Sequence, residues 1–167
     1  MVEALSLDNI INSIKLNLEG LVKSISISKG YIEVVVDASH IVEAALKLKS
    51  MGYDHVKSIT TIDYPKESKI RVVYHASSYI NEDLAKTIIG LTADIPRDNP
   101  VIDSLSQVWR SVEFQEREVY EFFGVIFREH PDLRPLLIIP ELAEKKVLRK
   151  DFIVKEESIY EGIPHKY

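Results

Sequence analysis

The chain has no cysteine among its 167 residues. That excludes a thiolate nucleophile, a disulfide and the thiolate ligands that hold most iron–sulfur clusters. If it serves an electron-transfer machine, the electrons pass through another chain. It also lacks any apolar run near the roughly 20 residues needed to span a bilayer. The opening residues, MVEALSLDNI, have neither the basic nor the apolar region of a secretory signal, so the expectation is a cytoplasmic protein without direct membrane insertion. Excess positive charge is missing too. A net charge of −5 argues against an electrostatic grip on nucleic acid or anionic lipid. Catalytic signatures are equally scarce: there is no G-x-S-x-G, G-x-G-x-x-G, P-loop, HExxH or Glu-x-x-His pattern. The five histidines, His40, His55, His75, His130 and His165, are far apart in sequence, so no metal is expected. No cofactor site is recognisable.

What is present fits one globular domain, with 46% hydrophobic and 28% charged residues, long enough to bury about two-thirds of its unfolded surface. The basic residues are unevenly placed. Five of the seven arginines (Arg110, Arg117, Arg128, Arg134, Arg149) follow Trp109, whereas nine of the fourteen lysines precede it. Arginine is enriched and lysine depleted at protein interfaces, so the C-terminal third reads as a contact surface.

Along the chain, Leu7, Ile10, Ile11, Ile14, Leu18 and Leu21 recur at three and four, predicting an amphipathic helix capped by Ser6 or Asp8. Residues 24–28 and 31–37 flank Lys29-Gly30 as a hairpin. A second helix, with Ser39 as N-cap and a stripe of Ile41, Ala44, Ala45, Leu48 and Met51, carries a Glu43/Lys47 pair and stops at Gly52. Strands are predicted over 56–63, 70–75 and 89–95, the first two joined by 65–68, while 77–86 reads as either a short helix or a loop. His75 shares a strand face with Arg71, opposite Ile70, Val72 and Tyr74, and reads as solvated. The fold class is therefore α+β, a mostly antiparallel sheet with helices on one face. Asp103 or Ser104 is expected to cap a further helix that runs from Trp109 to Phe123 and ends at Gly124. Residues 1–127 form the α+β domain on this reading. Residues 128–167 form an extended, irregular arm, broken by Pro131, Pro135, Pro140 and Pro164. The apolar runs of that arm, 136–139 and 152–154, need a surface to cover.

On the last helix Trp109, Val112, Glu116, Val119 or Tyr120, and Phe123 share one stripe, which puts Glu116 on an apolar face. A carboxylate there must be paired or protonated, and Arg134 or Arg149 from the arm are candidate partners. Arg110, Glu113, Arg117 and Glu121 form an adjacent stripe of alternating sign, readable as a solvated face or as a docking surface. His130, followed by Pro131, has structural readings, held against a partner or bonded to a backbone carbonyl. The other reading makes it an acid–base group with a carboxylate in a small free-standing enzyme.

The run EREVYEFFGVIFREHPDLRPLL at 116–137, followed by LRKDF at 148–152, resembles the signature of the 30-kilodalton subunit of respiratory NADH:quinone oxidoreductase (complex I). The resemblance implies a subunit without cofactor that supports assembly. It would sit in the peripheral arm on the cytoplasmic side of the membrane, packed on the large quinone-site (49-kDa-type) subunit. It carries over to Glu116, Arg117, Glu118, Tyr120, Glu121, Gly124, His130, Pro131, Asp132, Leu133, Arg134, Arg149, Lys150 and Asp151, and favours docking for Arg117 and Glu118. Related subunits serve NADH, reduced F420 or ferredoxin oxidoreductases and membrane-bound energy-converting hydrogenases, so the electron donor stays open. Between the two blocks the family has a tryptophan and a glycine-proline-type turn where this chain has 141–147, ELAEKKV, so a differently shaped loop is expected. The chain also ends soon after Asp151, and contacts made by longer tails in the family are expected to be missing.

Overall fold

The computed structural model describes residues 7–139, 142 and 144–153. The expected Ser6 cap, Glu141, Ala143, Val154, His165 and the breakers Pro140 and Pro164 lie outside them.

The apolar spacing of the N-terminal segment winds α1 (Leu7–Asn17), which buries Ile10, Ile11 and Ile14. The hairpin forms as β1 (Val22–Ser28) and β2 (Tyr31–Val36), with Gly30 at φ 72° in its turn, where a glycine escapes the Cβ clash. Next comes α2 (Ile41–Ser50). Ser39 is not its cap, because a 3-10 turn at Ala38–His40 leads straight into it and no side chain caps either helix. Glu43 and Lys47 do approach, at 3.6 Å. The strands β3 (His55–Tyr64), β4 (Lys69–Ser77) and β5 (Ile88–Pro96) follow. The ambiguous segment resolves into a loop and a single-turn helix, α3 (Glu82–Ala85), whose N-cap Asn81 accepts from the amides of Asp83 and Leu84.

The five strands lie in the order β1-β2-β5-β4-β3. Three pairings are antiparallel and one, β2 with β5, is parallel. Register places Ile32, Val34 and Val36 beside Ile89, Leu91 and Ala93, and these beside Ala76, Tyr74 and Val72. A period of two thus sends one apolar row to the helix side, where α1 and α2 close the core. Among the described residues the other face carries no helix. Arg71 grips Asp94 at 2.7 and 3.0 Å, and the Tyr31 ring lies over Gly90, where a Cβ would come within 2.0 Å of its hydroxyl. His75 is half-buried on that face rather than solvated. Its Nε2 is 3.0 Å from the Thr60 hydroxyl, and burial lowers its pKa.

The C-terminal third departs from expectation at the start of its helix. Residues Val101–Asp103 form β6, parallel to β7 (Ile126–Arg128), so Asp103 binds Arg128 at 2.6 Å instead of capping anything. Trp109 is extended, fully buried, and donates its indole N–H to the Tyr53 carbonyl at 2.8 Å. After a 3-10 turn at Arg110–Val112, α4 (Glu113–Phe123) begins and ends on left-handed Gly124, φ 69°. It packs on the helix side of the sheet against β3. Beyond Arg128 the described residues contain neither helix nor strand.

Candidate functional site

The signature residues gather where α4 meets the segment after β7. Glu116 lies on the apolar stripe and its side chain has no solvent exposure. Its partners differ from those expected. One oxygen accepts from the Tyr74 hydroxyl (3.0 Å) and the Leu105 amide (2.8 Å), and the other from the Ser104 hydroxyl (2.5 Å). The His130 ring is 3.9 Å away. Neither Arg134 nor Arg149 reaches it: Arg134 turns outward onto Asp132, and Arg149 donates to the Phe123 carbonyl at 2.7 Å. Burial raises the Glu116 pKa, opposed by hydrogen bonds from Ser104, Leu105 and Tyr74. The same burial, together with the Glu116 charge, pushes the Tyr74 phenol well above its ordinary range.

His130 is committed at both nitrogens. Nε2 lies 2.9 Å from the Glu113 carbonyl, and Nδ1 lies 3.1 Å from the Asp132 amide. A ring that donates at Nε2 and accepts at Nδ1 is neutral, and its side chain is closed to solvent. This matches the carbonyl-bonded reading of His130. In this arrangement no substrate reaches the ring, which removes the geometry that acid–base catalysis requires.

The alternating stripe is divided: Arg110 is exposed and Glu113 half-buried, whereas its other two members face inward. Arg117 and Glu121 are buried and hold the chain that passes over them. Arg117 donates to the carbonyls of Arg134 (3.0 Å) and Pro135 (3.2 Å) and lies 3.5 Å from Asp132. Glu121 accepts from the amides of Leu136 and Leu137, the latter at 2.9 Å. Backbone without a sheet or helix has obligatory donors and acceptors to satisfy, and these two side chains satisfy them in place of secondary structure. Leu133 and Tyr120 are partly buried against the core, while Pro131 is exposed.

The second block is fastened separately. The amide of Leu148 donates to the Phe122 carbonyl. The Lys150 amide donates to buried Asp63 at 2.9 Å, and its ammonium lies 5.8 Å from the Tyr64 ring centre. Arg97 bridges Asp63 (2.7 Å) and Asp151 (2.8 Å). Sequence reasoning missed Tyr74, Ser104, Asp63 and Arg97. Alternation along β4 puts Tyr74 on the core face, a signal that a buried hydroxyl needs a partner. Ser104 reads in the sequence only as a possible helix cap, and nothing local singles out Asp63 or Arg97. Glu118 stands apart from all these residues: it is exposed, at the edge of a groove between α4 and β3. Among the described residues no group of three or more His, Asp or Glu side chains is placed to hold a metal ion. No described helix is long and apolar enough to cross a membrane.

Residues 34–158 match the profile of a family described as the respiratory-chain NADH dehydrogenase, 30 Kd subunit. The chain is 35% identical over 136 residues to a subunit of the F(420)H(2) dehydrogenase of Methanosarcina mazei, covering 81% of this chain and 78% of that one. To NADH-quinone oxidoreductase subunit 5 of Thermus thermophilus it is 32% identical over 133 residues, covering 76% of this chain and 64% of the relative. Its fold is similar to a chain in the structure of the membrane-bound sulfane sulfur reductase, an archaeal respiratory membrane complex. There the TM-score is 0.76 at 24% identity, over 87% of this chain and 85% of the other.

Proposed function

The chain belongs to the family of the respiratory-chain NADH dehydrogenase 30 Kd subunit, and on that premise we propose that it is a non-catalytic subunit of a complex I-like respiratory oxidoreductase. In this reading it sits in the peripheral arm on the cytoplasmic side of the membrane. It docks on the large quinone-site subunit and supports assembly of the electron-transfer arm. Residues 1–127 are the scaffold and residues 128–167 the docking arm. The signature residues shape and hold that arm at the interface.

One observation carries the reading. The segments fastened by Arg117 and Glu121 and, separately, by Asp63 and Arg97 present Leu137, Ile139, Leu148 and Ile153 at 64%, 57%, 55% and 80% exposure. Backbone held so firmly, with its apolar side chains left uncovered, suits a surface prepared for another protein. Similarity to the F(420)H(2) dehydrogenase subunit favours, as a second reading, an assembly fed by reduced F420 rather than NADH. The donor enters through another chain in either case.

The test is to tag the chain in its native host, solubilise the membranes gently and identify what co-purifies. A large assembly with iron–sulfur absorbance and a quinone-site subunit is expected, and the chain bearing the electron-input site names the donor. Recovery of the tagged chain alone overturns the proposal.

A further inference from the structure

Glutamates at 116, 118 and 121 lie within two turns of α4, yet only one of them remains unengaged. Glu116 and Glu121 are saturated by donors of the chain itself. Glu118 is exposed and forms no hydrogen bond or ion pair among the described residues. Beside it lies a groove of about 220 Å³. Ile59 and Thr61 of β3 form one wall, Val119, Phe122 and Phe123 of α4 the other, and Leu148 of the second block closes one side. The hydroxyl of Thr61 is buried without a partner among the described residues, an omission that costs free energy unless something arrives to satisfy it. Among the described residues no cationic side chain lines the groove.

We infer that this groove is the seat of a partner-subunit segment that inserts an apolar side chain between Ile59, Val119 and Phe122 and places an adjacent lysine or arginine on Glu118. The inference rests on the subunit reading above and adds the place and the chemistry of one contact. Charge complementarity chooses the occupant. A single carboxylate at the rim of an apolar cleft repels an acidic segment, and it leaves an apolar one with an unpaired charge to cover. A basic residue flanked by an apolar one satisfies both parts of the surface. An arginine or lysine donor also has a free N–H for an unpartnered hydroxyl such as that of Thr61. Leu148 is positioned by its amide bond to the Phe122 carbonyl at 3.2 Å, so the groove is already formed before the partner arrives.

The test uses the tagged full chain in its native complex. Glu118→Lys and Leu148→Asp each change exposed side chains, so the purified full-length variants should melt within about 2 °C of the parent. Each should reduce the partner subunits recovered per tagged chain at least tenfold. A photoreactive residue at position 148 should link to a partner peptide in which Lys or Arg lies within a few positions of an apolar side chain. Reversing that basic residue to Glu should restore recovery of the Glu118→Lys variant. Parental recovery for both variants, or a linked peptide without a basic residue, overturns the inference. If the unmodified tagged chain recovers its complex in the same experiment, the subunit reading survives that failure. If the unmodified chain recovers nothing, both fail.

Discussion

Burial raises the pKa of the Glu116 carboxyl, while three donors pull it back. The free energy at stake is therefore that of the donors. Removing the carboxylate leaves the Tyr74 hydroxyl, the Ser104 hydroxyl and the Leu105 amide buried around a void. Glu116→Ala should then destabilise the fold by about 3 kcal/mol or more, since each orphaned buried donor costs about 1–3 kcal/mol. Glu116→Gln should cost only about 1 kcal/mol, because its carbonyl still serves Leu105 and Tyr74, and the Ser104 hydroxyl can rotate to accept from the new amide while donating to Ser106, 2.7 Å away. Urea unfolding of the two variants checks this. Equal losses would mean that the charge, rather than the acceptor count, is what the site requires.

At the scale of the element, α4 works as a clamp. Its Arg117 takes carbonyls and its Glu121 takes amides from consecutive residues of one strip of irregular chain. Hydrogen exchange measures such local opening directly. In Arg117→Ala the arm loses the charge-assisted bonds at Arg134 and Pro135, each worth about 1.5–3 kcal/mol. The amides of Leu136 and Leu137 should exchange at least tenfold faster than in the parent. Those of β4 and β5, which belong to the sheet core, should be unchanged. Parental exchange at Leu136 and Leu137 would mean that Glu121 alone holds the strip. A uniform rise across β4 and β5 would mean that Arg117 stabilises the whole domain instead.

Across the whole molecule, buried and half-buried aspartates tie distant parts of the chain together. Hydrogen bonds from Arg97, against the opposing effect of burial, lower the Asp63 pKa, and the Lys150 amide adds to the shift. Asp94 is lowered by Arg71 and Lys69. At Asp54 burial works upward, but the amides of Tyr79 and Ile80 with the side chains of His55 and Ser78 bring it to about 2. A depressed folded pKa contributes stability that is complete above the unfolded value of about 4 and is lost as pH falls through the folded value. The chain should therefore hold constant stability from neutrality to about pH 5 in respect of these groups and lose it progressively below about pH 4. Because Asp63 is what fastens Lys150, residues 148–152 should open ahead of the sheet. Limited proteolysis between pH 7 and pH 3 reads this. Simultaneous cleavage of sheet and arm would show that Asp63 does not hold the segment separately.

Local chemistry made much of the fold legible. Spacing of three and four marked α1 and α2, alternation and β-branched runs marked the strands β1 to β5, and the left-handed tolerance of glycine marked the end of α4 at Gly124. The signature run was visible as a run. These properties belong to neighbours in sequence, so the sequence by itself determined them. Only the tertiary structure decided which side chains the signature residues meet. Trp109 looked helical by periodicity, but its indole found the Tyr53 carbonyl, and β6 took the residues expected to cap a helix. Glu116 was read as needing a partner, and the partner proved to be a set of hydroxyl and amide donors from β4 and the 104–105 turn rather than an arm arginine. Which glutamate of α4 is consumed inside the chain and which is left at a groove depends on where the arm crosses the helix. That crossing is held by Arg117, Glu121 and the parallel β6–β7 pair, contacts between residues far apart along the chain. Periodicity carries no information about them, because each is fixed by packing of the assembled sheet and not by the conformation of any one segment.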